Sequence, residues 1–435
     1  MQSHALRADA GLDPHPAMIL PFGLMLLAIA LMPFVNLRWW ERHYPKVAVG
    51  LGSITVAYYV FWLHNAARML HVAHEYLSFM ALIGSLFVVS GGIHIRVKGE
   101  ATPWVNCCFL AVGAVLANVI GTTGASMLLI RPWIRMNKYR VTGFHIVFFI
   151  FIVSNAGGCL TPVGDPPLFL GYLKGVPFWW VLRHCWEAWG LVVLMLIAIF
   201  YVWDSRNFLR APLAIREKET AVETWKIEGK RNLLLLGVIL AAVFIRKPAG
   251  LSEVLMVAAA VTGYFITPKP VHEANDFHFG PIREVGWLFV GIFATMVAAL
   301  DYLEIHARAL GIDTPAKFYW LTGTVSATLD NAPTYLTFLA AAMGERALSL
   351  NAPDQVREFV AQYPHDLIAI SLGAVFFGAM TYIGNGPNFM VKSMAEQSRI
   401  RMPSFFGYLF RYAVPILLPV FTLVWLLYFS RWAVF

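Results

Sequence analysis

The sequence predicts an all-α polytopic membrane protein, and three observations indicate this class. Of its 435 residues, 59% are hydrophobic and only 13% are charged, which is about half the charged fraction of a typical soluble chain. The apolar residues come in blocks of roughly 17 to 25, the length that an α-helix needs to cross a bilayer. These blocks are apolar all round, so the period-two alternation of an outer-membrane barrel is missing.

About ten transmembrane helices are predicted from these blocks. The N-terminal tail, 1–16, has neither a basic segment nor a small-residue cleavage site, so we expect the first apolar block to remain as a span. The predicted spans are 17–36, 46–64, 76–96, 142–172, 178–203, 232–247, 251–267, 285–303, 365–395 and 406–430.

Two further apolar segments, 104–134 and 317–345, are each interrupted by a polar break. Both are shorter than the about 40 residues that two full crossings would need. We therefore expect each segment to return to the side from which it entered, as a re-entrant hairpin. Gly and Pro at the breaks leave backbone groups unsatisfied, so the breaks must be buried in protein or face water.

A comparison of the sequence with itself reveals a repeat. The stretches LTPVGDPPLF (160–169) and MTYIGNGPNF (380–389) share Thr, Gly, Pro and Phe at the same spacing. Five crossings in each half would place the halves in opposite senses, as in the inverted repeats of many secondary transporters. The predicted repeats are 17–203, with hairpin 104–134 and broken helix 142–172, and 232–432, with hairpin 317–345 and broken helix 365–395, joined by a linker at 204–231.

The net charge of +8 is interpreted as a topology signal. If both hairpins are re-entrant, the loops on one side of the membrane hold most of the Lys and Arg residues, including those of the 204–231 linker. The positive-inside rule makes this side cytoplasmic and puts both termini outside. We therefore expect a multi-pass protein of the cytoplasmic membrane, with the lipid bilayer as its surroundings and no nucleic-acid partner.

Asp165 and Asp330 lie at chain breaks that are predicted near the middle of the membrane. A carboxylate at that depth costs at least about 2.5–3.5 kcal/mol, so its retention favours a functional role in binding a cation or proton. The alternative is structural, because an Asp before prolines is a good N-cap. Both roles can hold together. The second repeat has Asn385 where the first has Asp165.

These residues carry a resemblance to a known family. The runs SNAGGCLTPVGDPP and SATLDNAPT resemble the NhaD-type sodium/proton antiporters of the ion transporter superfamily, with a looser similarity to arsenite pumps and citrate or dicarboxylate carriers. The resemblance implies a hairpin-and-broken-helix fold, exchange of Na⁺ or Li⁺ for protons and a homodimer. The ion-site residues that it implies are Asn155, Thr161, Asp165, Asp330 and Asn331. The supporting residues at the hairpin tips and breaks are Ser154, Gly164, Thr122, Thr123, Thr381, Gly384, Asn385 and Asn388.

The predicted function is Na⁺/H⁺ exchange by alternating access, with Na⁺ bound at Asp165 and Asp330. The alternative is a sodium- or proton-coupled carrier of citrate, a dicarboxylate or another small anion. The hairpin tips read Gly-Thr-Thr and Asp-Asn-Ala, whereas the carboxylate carriers of the superfamily have Ser-Asn-Thr, and Asp330 would repel an anion. A phosphate loop, nucleophile elbow or dinucleotide fingerprint is not found, so we expect neither an enzyme nor a cofactor other than the transported ions.

Overall fold

The computed structural model describes residues 13–96, 101–210, 212, 226–245 and 247–430. Most of the predicted N-terminal tail and much of the 204–231 linker lie outside these residues. Within them the chain is almost entirely helical. The helices of the first half are α1 (Leu20–Ala57), α2 (Ala66–Gly91), α3 (Pro103–Met136), α4 (Gly143–Ile152), α5 (Pro166–Lys174) and α6 (Trp180–Arg210).

The second half has more and shorter helices. They are α7 (Arg231–Ala242), α8 (Leu251–Ile266), α9 (Lys269–Ala274), α10 (Gly280–His306), α11 (Pro315–Thr328), α12 (Asn331–Glu345), α13 (Pro353–Gln362), α14 (Pro364–Phe377), α15 (Gly386–Gln397) and α16 (Phe405–Tyr428). Two strands, β1 (His94–Arg96) and β2 (Lys226–Glu228), pair antiparallel with His94 opposite Glu228. The predicted span 76–96 is therefore wrong at its end, because the chain leaves the helix at Gly91-Gly92 and enters a strand.

Six helices of the described residues are long and apolar enough to cross a membrane, and a bent pair formed by α13 and the segment Pro364–Met380 raises the number to seven. The predicted count of ten is not reached by this criterion. The predicted spans 17–36 and 46–64 lie in one helical segment, Pro16–Trp62, which is counted once, and Pro103–Met136, predicted as a hairpin, is counted as a span. Helices α7 and α8, in the positions of two predicted spans, have only 12 and 16 residues. Two other predicted spans, 142–172 and 365–395, are interrupted.

Helix α1 contains two arms that lie side by side. Its backbone leaves helical geometry at Asn36, where φ is −157° and ψ is 84°. A Cβ atom added at Gly291 of α10 would lie 2.8 Å from Met25 Cε and 2.9 Å from Ala48 Cα. Two residues 23 positions apart on a straight helix would be about 34 Å apart, so the arms double back.

Segment α3 also folds back, at Gly121. There φ is +78° and ψ is 154°, a combination that is essentially restricted to glycine. Asn106 and Asn137 exchange side-chain amide hydrogen bonds of 2.9 and 3.0 Å across 31 residues, a separation of about 46 Å on a straight helix. The two arms of α3 are therefore antiparallel, with Gly121 at the tip.

Helices α11 and α12 form a second helical pair with its tip at Asp330. The guanidinium of Arg346, after α12, lies 3.4 Å from the carbonyl oxygen of Asp313, before α11. The same Arg346 contacts the Asp366 carboxylate at 3.3 Å, which ties the base of this pair to α14. The sequence 317–345 thus forms two antiparallel arms.

The base of the α3 hairpin is fixed by a buried charged network. Asp204 of α6 accepts hydrogen bonds from Asn106 Nδ2 at 2.7 Å and from the guanidinium of Arg140. His145 Nε2 lies 3.0 Å from the same carboxylate. Burying a charge is tolerated only when it is paired and hydrogen-bonded, and here one carboxylate joins α3, α4 and α6.

The two broken helices occupy the centre of the molecule. Every residue of α4 from His145 to Ile152 is fully buried, and so are nearly all residues of α14, whereas α1 and α8 expose many large apolar side chains. Irregular backbone at membrane depth is tolerated where protein covers it. The breaks between α4 and α5 and between α14 and α15 are therefore in a region where the fold can accommodate them.

Candidate functional site

Asp165 is at the N-cap position of α5, but its side chain does not cap that helix. The two residues that follow are Pro166 and Pro167, which have no N–H group to donate. The first N–H group of the helix, that of Leu168, binds the backbone carbonyl of Asp165 at 3.1 Å. The carboxylate is therefore free to bind other groups, so the structural alternative, a side-chain cap, does not describe this residue.

Three neutral side chains donate hydrogen bonds to the Asp165 carboxylate. Asp165 is only 1% exposed. Thr122 Oγ1 and Asn385 Nδ2 bind Oδ1 at 2.8 and 3.0 Å, and Asn331 Nδ2 binds Oδ2 at 2.6 Å. Thr122 follows the tip of the α3 hairpin, Asn331 begins α12 and Asn385 precedes α15. One carboxylate therefore joins both hairpin tips and both helix breaks.

Asn385 occupies the position of the second repeat that corresponds to Asp165, and it has the same relation to the helix that follows it. It is the N-cap residue of α15 without a side-chain cap. In addition to Asp165, its Nδ2 faces Asn155 Oδ1 and the carbonyl oxygen of Ser154, both at 3.2 Å. The two related break residues are therefore in direct contact.

Asn155 and Asn388 extend this network. Asn155 Nδ2 donates to Asn388 Oδ1 at 2.7 Å and to the Ile150 carbonyl at 2.8 Å. Asn388 Nδ2 donates to the carbonyl oxygens of Gly378 and Thr381 at 2.8 and 2.9 Å. These amides satisfy backbone carbonyls that the breaks leave outside regular helix, which fixes the shape of the site.

Thr161 and Thr381, which correspond in the two repeats, hold the breaks against the hairpins. Thr161 Oγ1 donates to the carbonyl oxygen of Asn118 at 2.6 Å, and Thr381 Oγ1 donates to that of Ala327 at 2.7 Å. The hydroxyl of Thr161 is therefore hydrogen-bonded to a hairpin, whereas the resemblance implied that Thr161 is an ion ligand. A positioning role follows from these contacts.

Gly164 and Gly384 allow close approach of backbone segments. The carbonyl oxygen of Gly164 accepts the Thr122 N–H at 2.7 Å, which joins the first break to the first hairpin tip. A Cβ atom at Gly384 would lie 2.7 Å from the carbonyl oxygen of Gly378 and 2.8 Å from that of Ser326. A side chain at either glycine would push the break away from its hairpin.

Asp330 differs from Asp165 in both burial and bonding. It is half-buried, and its Oδ1 accepts the backbone N–H of Ala332 at 3.0 Å as the N-cap of α12. The next residue, Asn331, is the one that contacts Asp165. Its Oδ1 is buried and has no hydrogen-bond partner among the described residues, so it can accept a hydrogen bond or coordinate a cation.

Ser154 and Thr123 lie at the edge of this site. Ser154 Oγ is 2.7 Å from Ser126 Oγ of the α3 hairpin. Thr123 lines a cavity of about 30 Å³ together with Thr122, Gly164 and apolar residues of α2. That volume holds one or two water-sized groups.

Two residues of the site were missed by sequence reasoning. Asn118 donates through Nδ2 to the carbonyl of Gly157, and its Oδ1 accepts the Leu160 N–H at 2.8 Å. Ser126 binds Ser154. The signal for Asn118 was available, because it is a single amide in the apolar run LANVI; Ser126 has no comparable signal.

The fold and the site define a multi-pass membrane transporter: apolar helices enclose irregular backbone and a buried carboxylate that both halves contact. The match to a family model described as "Putative citrate transport" covers residues 13–429, and the chain belongs to that family. It is also similar to a 46 kDa membrane protein of Mycobacterium leprae (strain TN). The two are 25% identical over 359 residues, which cover 78% of this chain and 81% of the relative.

Proposed function

We propose that this protein exchanges Na⁺ or Li⁺ for H⁺ across the cytoplasmic membrane, with Asp165 as the residue that both ions occupy in turn. The observation that carries the proposal is the bonding of Asp165. Its carboxylate is buried, and the partners that the described residues give it are all neutral. A buried charge without an opposite charge is strongly unfavourable, so a proton or a metal cation supplies the missing charge.

Competition for one carboxylate provides the coupling. When Asp165 is protonated, its charge is neutralised and a cation gains little by binding there. When the proton leaves, the carboxylate oxygens and the unpartnered Asn331 Oδ1 form a set of hard oxygen ligands of the kind that small hard cations prefer. Asp330 adds a second negative charge close to this set. Protons and Na⁺ can then occupy the site only alternately.

The arrangement of the site supports alternating access. Asp165 is bound by groups from both predicted repeats, 17–203 and 232–432, so a movement of one half relative to the other would exchange its partners. Inverted-repeat transporters place their sites at such a meeting of broken helices. We further propose re-entrant hairpins at 104–134 and 317–345, both termini outside and a homodimer.

A cation-coupled citrate carrier is the second candidate, and the family description favours it. In that case Asp165 would bind the coupling ion and the hairpin tips would hold the anion. One feature counts against it. Among the described residues, the partners of Asp165 include no Lys or Arg that would neutralise a carboxylate substrate.

Ion flux in proteoliposomes tests these alternatives. The purified protein is reconstituted with a pH-sensitive dye inside, and Na⁺, Li⁺, K⁺ or choline is added outside at equal ionic strength. We expect a proton signal with Na⁺ and Li⁺ that Asp165→Asn removes. Radiolabelled citrate is tested in the same vesicles. Citrate uptake driven by a sodium or proton gradient, without a Na⁺-driven proton signal in its absence, would replace the antiporter with the second candidate.

A further inference from the structure

Tyr335 of α12 lies one helical turn after Asn331 and is fully buried. Residues four apart share a helix face, and side chains on a helix lean toward its N-terminus, so the Tyr335 ring lies over the turn that contacts Asp165. Its hydroxyl also reaches α5. A Cβ atom added at Gly171 would lie 2.5 Å from that hydroxyl oxygen, which explains why glycine occupies this position.

Ser371 of α14 is the polar neighbour of Tyr335. Their hydroxyls interact with each other, and both side chains are fully buried. Among the described residues neither hydroxyl bonds a backbone group or any other side chain. Each hydroxyl therefore keeps hydrogen-bonding capacity that a water molecule can take up, and the pair satisfies no other polar group of the fold.

Other buried tyrosines of this protein are different. The hydroxyl of Tyr319 binds the Phe421 carbonyl at 3.1 Å, that of Tyr408 binds the Ala379 carbonyl at 2.8 Å and that of Tyr172 binds the Val243 carbonyl at 2.9 Å. Each of these hydroxyls therefore has a structural role. Tyr335 has the same burial without the structural bond, and it is the one placed a turn from the Asp165 site.

We propose that the hydroxyl groups of Tyr335 and Ser371 relay the transported proton, through water, between Asp165 and the end of the molecule where α12 ends and α14 begins. This inference rests on the proposed function. A hydroxyl can accept a proton on its oxygen while it releases its own to the next acceptor. Each step breaks one O–H bond and forms one, and the hydroxyl is regenerated without a net change in charge.

The surroundings of Tyr335 are consistent with a proton path and not with a metal-ion path. Among the described residues, the titratable side chains near it include the thiols of Cys159 and Cys185, and both cysteines are fully buried. Neutral thiols and hydroxyls can pass a proton along hydrogen bonds, whereas a metal cation needs several oxygen ligands at once. Tyr335 and Ser371 are therefore positioned to affect the proton limb of the exchange and to leave cation binding unchanged.

Tyr335→Phe in the reconstituted full-length protein tests the relay, with Ser371→Ala as a second variant and Tyr319→Phe as the matched control. We expect Tyr335→Phe to lower the initial rate of Na⁺-driven proton movement about tenfold. The half-saturating Na⁺ concentration and ²²Na⁺/Na⁺ counterflow at fixed pH, which needs no proton, should stay unchanged. Its melting temperature should change little, because the hydroxyl that is removed bonds no backbone group of the described residues. Tyr319→Phe should keep the rate and lose some thermal stability.

The outcomes separate this inference from the function on which it rests. Full-rate proton movement in Tyr335→Phe overturns the relay, and so does an equal loss of counterflow and proton movement, which would indicate a packing defect. If the unmodified protein shows no Na⁺-driven proton signal, the proposed function fails and the relay fails with it. A slow proton limb with normal counterflow in both Tyr335→Phe and Ser371→Ala supports the relay.

Discussion

Asn331 Nδ2 lies 2.6 Å from Asp165 Oδ2, and this hydrogen bond joins the second hairpin tip to the first helix break across 166 positions of sequence. Thr122, at the first hairpin tip, binds the other oxygen of the same carboxylate. Each hairpin therefore donates a hydrogen bond to a different oxygen of the Asp165 carboxylate. Any movement that separates the hairpins must break at least one of these bonds, so occupancy of Asp165 and the arrangement of the halves are physically linked.

Asp165→Asn should abolish Na⁺-driven proton movement. The substitution keeps the size of the side chain and one acceptor oxygen, but it removes the charge and sets an NH₂ group against at least one of the present donors. A mismatched buried pair of this kind costs about 1–3 kcal/mol, so we expect a folded, membrane-inserted protein. The size-exclusion profile tests whether the variant is folded, and dye dequenching tests whether it moves protons. Near-normal exchange by a well-folded variant would mean that Asp165 carries no transported ion.

Asn385→Asp should shift the pH dependence of exchange to higher pH. It places a second carboxylate beside Asp165, where the present amide nitrogen is 3.0 Å from Oδ1. Two carboxylates at that distance do not both ionise readily, so the pair holds a proton more tightly. Release of that proton, and with it cation binding, then requires a higher pH. We expect the rising limb of the pH profile to move by one unit or more.

The exchanged pair Asp165→Asn/Asn385→Asp is the control for this shift. It restores a single carboxylate to the contact between the two breaks, now on the second repeat. We expect partial exchange, above that of Asp165→Asn alone, with a pH profile nearer to that of the unmodified protein. An unchanged profile in Asn385→Asp would argue that the two positions do not share a proton.

The sequence was sufficient to select residues that the structure brings together, because polar residues inside apolar segments stand out whatever the fold. Asp165, Asn331 and Asn385 are examples. It could not supply the bond between Asp165 and Asn331, since no local periodicity reports a contact between two halves of a chain. It also missed Tyr335 and Ser371, which are ordinary helix residues until their pairing with each other is visible in three dimensions.

The secondary-structure elements also divide into those that the sequence predicts and those that it does not. The reversal of α3 follows from length and Gly121, both of which can be read from sequence. The strand at 94–96 could not be predicted from its own residues, because its partner, 226–228, is 132 positions further along the chain. Helices α7 and α8 are shorter than a full span, and the sequence around them accounts for this, because Lys230 and Pro248 bound the first and Gly250 and Pro268 bound the second.

Asp330→Asn should weaken the apparent affinity for Na⁺ about tenfold and leave the fold intact. Asn caps helices as well as Asp does, so the bond to the Ala332 N–H survives while the negative charge is lost. Asp330→Ala removes both, and we expect the same loss of affinity plus about 1 kcal/mol of destabilisation. Half-saturating Na⁺ and thermal unfolding separate these effects. Unchanged Na⁺ affinity in Asp330→Asn would restrict Asp330 to its capping role.

Gly121→Ala should disrupt the first hairpin tip and with it the bond from Thr122 to Asp165. At φ +78° and ψ 154° a non-glycine residue is strained by about 1–3 kcal/mol, and the added Cβ would also lie 3.2 Å from the carbonyl oxygen of Val163. Helical glycines with open surroundings provide the control, since a Cβ at Gly23 or Gly50 meets no atom within 4 Å. We expect Gly121→Ala to lower the melting temperature and to reduce exchange at least tenfold. Gly50→Ala should leave both unchanged or raise stability slightly, because Ala favours helix over Gly. If Gly121→Ala transports normally, the tip can adopt another backbone conformation, and its contact with Asp165 is not needed for exchange.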